Sequence, residues 1–254
     1  MTQTFKLVLP LLLVACPAAA QPVELPAETG PVTRQTADRE SPLLDFEYSW
    51  PQAISSETRL VERLSADLSN TYDEALKEAR ANKQDMDRLG GPFNQNHFTR
   101  MWNLEGQTQR LISLAADTHT YTGGAHPNHT SSALLWDRSA QGEIKFAELF
   151  ESPSALEGTV RARFCELLDA ERLKRRQGET IEGFTECPAF SELTIAPADT
   201  NDKERFDSVQ LTADPYVAGP YVEGGYEINV PVSAGLIGAL KPEYRSDFEA
   251  QPRQ

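Results

Sequence analysis

Apolar and polar residues alternate at Leu44, Phe46, Tyr48 and Trp50, so every second side chain lies on one face of a half-buried strand. Pro51 ends that run. The spacing then changes to three and four. Leu60, Leu64, Leu68, Tyr72, Leu76 and Ala79 fall on one stripe, which predicts a long helix over 56–88. Glu57, Arg59, Glu62, Arg63, Glu74 and Lys77 cover its outer face as a solvated charge pattern. Gly90-Gly91-Pro92 breaks the helix. Strand patterns follow at 98–104 and 110–122, with Gly106 read as the turn between them, and again at 131–136. Residues 137–142 read as a hairpin turn into a short strand at 144–146. A second helix is predicted over 153–176, burying Leu156, Val160, Phe164 and Leu167. Late strands are expected at 191–195, 205–212 and 226–232, and a short helix at 234–240 before Pro242. Two main helices packed on a mixed, mostly antiparallel sheet make an α+β fold. Helices and strands do not alternate strictly, which disfavours a Rossmann-type arrangement.

The start of the chain reads differently. Lys6 precedes an apolar run that closes on Leu13-Val14-Ala15-Cys16. A basic start, a short apolar stretch and small residues at the cut are the parts of an export signal over 1–15. The run is too short for a permanent membrane helix. Leu three places before Cys, with a small residue between, resembles the bacterial lipobox, in which Cys16 becomes the lipidated first residue. Ala18-Ala19-Ala20 before Gln21 offers an ordinary signal-peptidase cut instead, giving a soluble periplasmic protein. Pro17 stands where an inner-membrane retention Asp would sit, which by resemblance favours the outer membrane. Residues 16–43 carry Pro17, Pro22, Pro26, Pro31 and Pro42 and no aromatic residue until Phe46, so they are expected to form a flexible tether. The body divides in this reading into modules at 44–122 and 123–248, with a tail at 249–254.

A formal charge of −14 argues against a nucleic-acid binder, which needs clustered Lys and Arg for phosphates. It also argues against an electrostatic grip on anionic lipid, so membrane attachment would rest on the lipid anchor only. It suits a basic partner through steering. Of three cysteines, lipidation would use Cys16 and leave Cys165 and Cys187, an even pair that an oxidising compartment would bridge.

Candidate chemistry concentrates at Thr118-His119-Thr120-Tyr121-Thr122-Gly123-Gly124-Ala125-His126-Pro127-Asn128-His129. Imidazole suits zinc, so His119, His126 and His129 with Asp117 form a possible metal set, although no helical His pair is present. The plain alternative is a glycine-bearing turn with exposed polar residues. No cofactor is expected. There is no G-x-S-x-G elbow, and neither body cysteine sits in a redox or protease motif. A paired-carboxylate hydrolase remains open, with Glu47, Asp117 and Glu227 on candidate strands.

Tyr121-Thr122-Gly123-Gly124-Ala125-His126 followed by Asn128 resembles the signature of the domain-of-unknown-function family 3298, the RsiV-like fold. Tyr216-Val217-Ala218-Gly219-Pro220-Tyr221 with Gly225, then Tyr226 to Pro231, resembles that family's closing strand. Lys145 to Phe150 resembles its strand-to-helix segment, and 46–76 resembles the companion module that precedes it. The likeness spans about 44–248. Family members include an anti-sigma factor whose exported part binds lysozyme, the non-catalytic N-terminal part of a PdaC-like peptidoglycan deacetylase, and many bacterial lipoproteins. This chain shows neither a sigma-binding segment nor a deacetylase domain. The resemblance therefore implies a lipid-anchored, non-catalytic envelope binding module for cell-wall glycan or a lysozyme-like basic protein. The expected ligand surface is Tyr121, Gly123, Gly124, His126, Asn128, Tyr216 and Tyr221. The alternative is a periplasmic hydrolase acting on peptidoglycan or another polymer.

Overall fold

A computed structural model describes residues 33–252, which belong to one compact unit starting at Thr33. The expected export signal, Cys16 and the first part of the tether lie outside the described residues. Among the described residues, no helix is long and apolar enough to cross a membrane.

Six strands form the larger sheet, side by side in chain order: β1 (Arg34–Glu40), β2 (Leu44–Pro51), β3 (Asn96–Gln107), β4 (Leu111–Tyr121), β5 (Asn128–Asp137) and β6 (Gly142–Ile144). All neighbours are antiparallel except β2 and β3, which run parallel from Leu44↔Asn96 to Ser49↔Met101. A parallel pair needs a crossover, and helix α1 (Thr58–Leu89) supplies it. Its buried stripe is Leu60, Leu64, Leu68 and Ala79, with Tyr72, Ala75 and Leu76 packed alongside. These meet Phe46, Tyr48, Phe98, Trp102, Leu114 and Leu134 on one face of the sheet. Gly90, at φ +70°, takes the left-handed position that ends the helix, and the Gly91 amide returns to Met86 O at 3.0 Å.

A polar network pins α1 to that face. Trp102 Nε1 donates to Tyr48 Oη at 2.7 Å, and Tyr48 Oη donates to Asp67 Oδ2 at 2.7 Å. Arg100 bridges the same carboxylate, at 2.9 Å, to Thr118 Oγ1, at 3.0 Å. Burial and the neighbouring Asp67 push the Tyr48 phenol well above its usual range, so it stays a donor.

The smaller sheet is β7 (Leu193–Ala198), β8 (Ser208–Ala213) and β9 (Tyr226–Pro231), all antiparallel. One face carries Val209, Leu211, Ile228 and Val230 into a second core with α2 (Pro153–Arg175) and the short α3 (Ala234–Ala239). The other face meets the larger sheet. Gln210 Nε2 donates to Glu105 Oε2 at 3.0 Å, and Thr194 Oγ1 donates to Ser131 O at 3.1 Å. The expected Cys165–Cys187 disulfide is formed, tying α2 to the loop before β7.

Several expectations need correction. Residues 34–40 are a strand and not tether: seven consecutive positions pair with β2 from Arg34↔Pro51 to Glu40↔Asp45. The sequence hides this because an edge strand with few apolar residues is held by backbone bonds, not burial. The boundary drawn at 122/123 falls inside the β4–β5 hairpin of one continuous sheet. The helical stripe of α2 buries Leu168 completely and Leu167 only in part, because the true repeat from Phe164 is four. The strand expected at 144–146 stops at Ile144, and Phe146 opens a 3-10 turn. Part of the stretch set apart as a tail is tied to the body: the Glu249 and Gln251 amides donate to Phe206 O and Val232 O, both at 2.9 Å.

Gly106 is no turn. It lies within β3 at a register shift between Leu104 and Gly106. A Cβ there would stand 2.7 Å from both Asp199 N and Asp199 Cβ, and 3.2 Å from the Phe206 ring. Gly106→Ala is therefore expected to lower unfolding free energy by about 1–3 kcal/mol through overpacking, read from the urea midpoint. Reducing Cys165–Cys187, separated by 22 residues, is expected to cost roughly 3 kcal/mol in the chain-entropy model. Paired melts with and without reductant check this.

Candidate binding surface at the β4–β5 turn

Strand β4 ends at Tyr121 and β5 begins at Asn128, so the conspicuous histidine and glycine run becomes the connection between them. Gly123, at φ +93°, makes the left-handed step that other residues resist. Beyond it the turn meets a distant segment. The His126 ring stacks on Tyr221, with centroids 3.9 Å apart and planes 26° apart. Tyr221 Oη donates to Pro127 O at 2.7 Å, and Tyr216 Oη lies 3.5 Å from His126 Nε2. The two tyrosine rings are 5.7 Å apart. Tyr216 is 58% exposed and Val222, next to Tyr221, is 90% exposed. Tyr216 also holds φ at +75°. For a bulky residue that backbone is a true outlier, and such strain gathers at ligand clamps.

The segment bearing these tyrosines is fixed from behind by α2. Arg172, 4% exposed, donates from Nε to Ala218 O at 2.9 Å and from NH2 to Glu186 O at 3.0 Å. Arg176 grips Glu223 with two bonds, at 2.8 and 2.9 Å, and Tyr226 Oη donates to the same carboxylate at 2.5 Å. These bonds hold the Glu223 carboxyl below its ordinary range and keep Arg176 charged. Gly219 is glycine because any Cβ would strike the Glu223 carboxylate and the Tyr226 ring. From the other side, Asp214 accepts from Ser131 N at 3.0 Å and Ser131 Oγ at 2.6 Å, joining the segment to β5.

The expected site residues thus divide. His126, Tyr216 and Tyr221 come together, with Gly123 and Gly124 exposed in the adjoining turn and Asn128 exposed where β5 starts. Tyr121 sits instead beside His97, with centroids 6.1 Å apart. The three-histidine metal alternative is not assembled. His119 and His129 face each other across β4 and β5 with rings stacked at 4.3 Å, while His126 leaves for the tyrosines. His129 Nε2 lies 3.3 Å from Asp117 Oδ1. Burial, then the His129 neighbour, pushes the His119 imidazole below its ordinary range, against a smaller opposite pull from Asp117. Among the described residues, no group of three or more His, Cys, Asp or Glu side chains is arranged to hold a metal ion.

Of the carboxylates expected from sequence, Glu47 is exposed on β2. Asp117 and Glu227 approach a third that the sequence reading missed, Glu105 on β3. Glu105 is pushed up to about 6, first by burial between the sheets and then by Glu227, with the Gln210 bond opposing. Burial and Asp117 also raise Glu227. The one sequence trace of Glu105 is its place beside Gly106, whose bulge turns it toward Gln210. A raised carboxyl binds its proton more tightly when folded. Its contribution to stability is therefore complete below about 4.5 and is lost as pH rises through about 6. Glu105→Gln is expected to flatten that part of the stability profile and to stabilise the protein at neutral pH, measured by thermal melts across pH.

Residues 38–129, from the end of β1 to the start of β5, match the family model described as Deacetylase PdaC. No curated protein sequence matches the chain. Its fold is similar to the crystal structure of a DUF3298 family protein from Pseudomonas aeruginosa, with TM-score 0.56 and 16% identity, over 87% of this chain and 98% of that one. A DUF3298 family member from Bacteroides fragilis is also similar, with TM-score 0.50 and 14% identity, over 86% of this chain and 98% of the other. Residues 38–129 are thus similar to the PdaC family model, and the chain has the fold of DUF3298 family proteins.

Proposed function

We propose that this chain is a non-catalytic envelope binding module that takes cell-wall glycan on the platform of His126, Tyr216 and Tyr221. The observation that carries the reading is Tyr216. An exposed aromatic ring on a strained backbone, packed beside a second tyrosine and a histidine, is the kind of arrangement found at ligand clamps, and it supports this reading. Flat aromatic faces suit the apolar faces of sugar rings, and their few torsions limit the entropy lost on binding. The module would be exported and lipid-anchored through Cys16 at the outer membrane, facing the periplasm. The Leu13-Val14-Ala15-Cys16 pattern supports this, and mass spectrometry of the mature protein tests it.

A lysozyme-like basic protein is the second ligand class, supported by the charge of −14. Capture of such a partner would weaken steeply with added salt, whereas glycan binding would not. The hydrolase alternative draws on Glu105 as an acid near 6. Glu105 is bonded to Gln210 between the sheets, which supports a role in joining them instead.

Tyr216→Gly separates strain from use. Glycine adopts φ +75° freely, so the variant is expected to melt at or above the parent temperature. It is also expected to bind solubilised cell-wall glycan at least about tenfold more weakly, a loss of roughly 1.4 kcal/mol. Isothermal titration calorimetry reads the affinity. Unchanged affinity in Tyr216→Gly and Tyr221→Ala would remove the platform from the account.

A further inference from the structure

We infer that the outer edge of β1 is an interface: it pairs with β1 of a second copy of this chain, antiparallel and centred on Ala37, making one continuous sheet across a two-fold axis. The inference is independent of the glycan reading. Strand β1 lies at the end of the larger sheet and has β2 on one side only. The opposite end of that sheet is β6, three residues long, and a very short strand is one ordinary way to blunt an edge. Strand β1 lacks that protection. Seven residues pair with β2 without a register break, and none of them is proline.

Backbone direction fixes what the edge offers. Gln52 N donates to Thr33 O at 2.8 Å. In an antiparallel ladder, residues that bond the neighbour alternate with residues that face away from it. Gln35, Ala37 and Arg39 therefore turn toward β2, while Arg34, Thr36, Asp38 and Glu40 turn N–H and C=O outward. Pro51 stands opposite Arg34, at a position where the ladder needs no N–H. Among the described residues, no backbone group bonds those outward donors and acceptors.

Charge selects the partner. A second strand must set its own outward residues against these, so it can shift only by two residues at a time. With Ala37 against the partner's Ala37, Arg34 meets the partner's Glu40, Thr36 meets the partner's Asp38, and Gln35 meets the partner's Arg39. No like charges are opposed, and opposite charges face each other at both ends. The axis passes between two alanines, at the kind of pair whose backbones come closest. One allowed shift would oppose Asp38 to the partner's Asp38, and the reverse shift would leave Glu40 with no strand residue opposite. A repelling edge would carry one sign. This one carries both, in an order that matches its own reverse. Arg34 is already held in place by bonds to Ser49 Oγ at 3.0 Å and Asn103 Oδ1 at 3.2 Å, so little order is lost when it meets Glu40.

The test uses the full chain with Cys16→Ser, so that no other unpaired thiol interferes. Ala37→Cys is expected to form a disulfide-linked dimer on air oxidation, because the paired Cα atoms would lie about 4.5 Å apart. Arg39→Cys, on the same face but displaced from its own copy by roughly 13 Å along the strand, is expected to remain monomeric on the same gel. Sedimentation equilibrium reads the affinity without a cross-link. Thr36→Lys sets an ammonium opposite the partner's Asp38 and is expected to tighten the dimer by about fivefold, whereas Thr36→Asp is expected to weaken it by about as much. Thr36 is exposed, so both variants should keep the parent melting temperature. Thr36→Pro removes an outward N–H that the single copy does not use and is expected to abolish the dimer. No cross-linked Ala37→Cys dimer, equal cross-linking of Ala37→Cys and Arg39→Cys, or self-association that neither Thr36→Lys nor Thr36→Asp moves would overturn the inference. So would a parent that stays monomeric while Thr36→Pro melts well below it, since the edge would then be bonded within its own chain.

Discussion

A guanidinium withdrawn from water must find acceptors for its donors, and Arg172 finds them in backbone carbonyls on either side of α2. Ala218 belongs to the tyrosine-bearing segment, and Glu186 precedes the disulfide cysteine. One buried cation therefore joins two loops that are far apart in sequence. Arg176 repeats the device one turn later, adding the Glu223 carboxylate to the Phe184 and Ala218 carbonyls. Removing either head group would leave buried oxygens unanswered, a larger penalty than the bond itself contributes. The position of Tyr216 and Tyr221 in space is a consequence of these two side chains.

The opposite half of the surface is fixed by a different kind of order. The β4–β5 hairpin is the longest antiparallel stretch next to the turn, running from Leu111↔Asp137 to Thr120↔Asn128 without a register break. Its core-facing residues, among them Leu114 and Leu134, set which side each residue faces. The turn is thus presented by a rigid hairpin, and the tyrosines by a loop bolted to a helix. Asp214 on Ser131 joins the two supports close to where they meet. Function-bearing loops on a stiff scaffold are the usual way to hold a contact surface without folding it on demand.

Much of the fold was legible because periodicity is a local property. The stripe from Leu60 to Ala79 and the alternation from Leu44 to Trp50 each declare their element without reference to the rest of the chain. Strand β1 was illegible because its pattern is polar and its partner strand supplies the order. The meeting of His126 with Tyr221 rests on pairing across 95 positions of chain, which no window of sequence reveals. The resemblance named both segments, yet it could not say that they touch or that His119 and His129 would turn away. Glu105 was passed over for a similar reason: its environment is made by Gln210 and Glu227 from the second sheet. The Cys165–Cys187 bridge was accessible because counting cysteines needs no geometry.

Gly106 carries an implication for how this architecture can vary. Asp199, at the end of β7, approaches the bare α-carbon of Gly106 so closely that the hydrogen there acts as a spacer between the two sheets. Relatives that keep this docking should be invariant at the corresponding site. Relatives that do not should show a compensating insertion or deletion where the chain leaves β7. The position is a ruler for the family: its substitution history would record each time the second sheet was re-seated on the first.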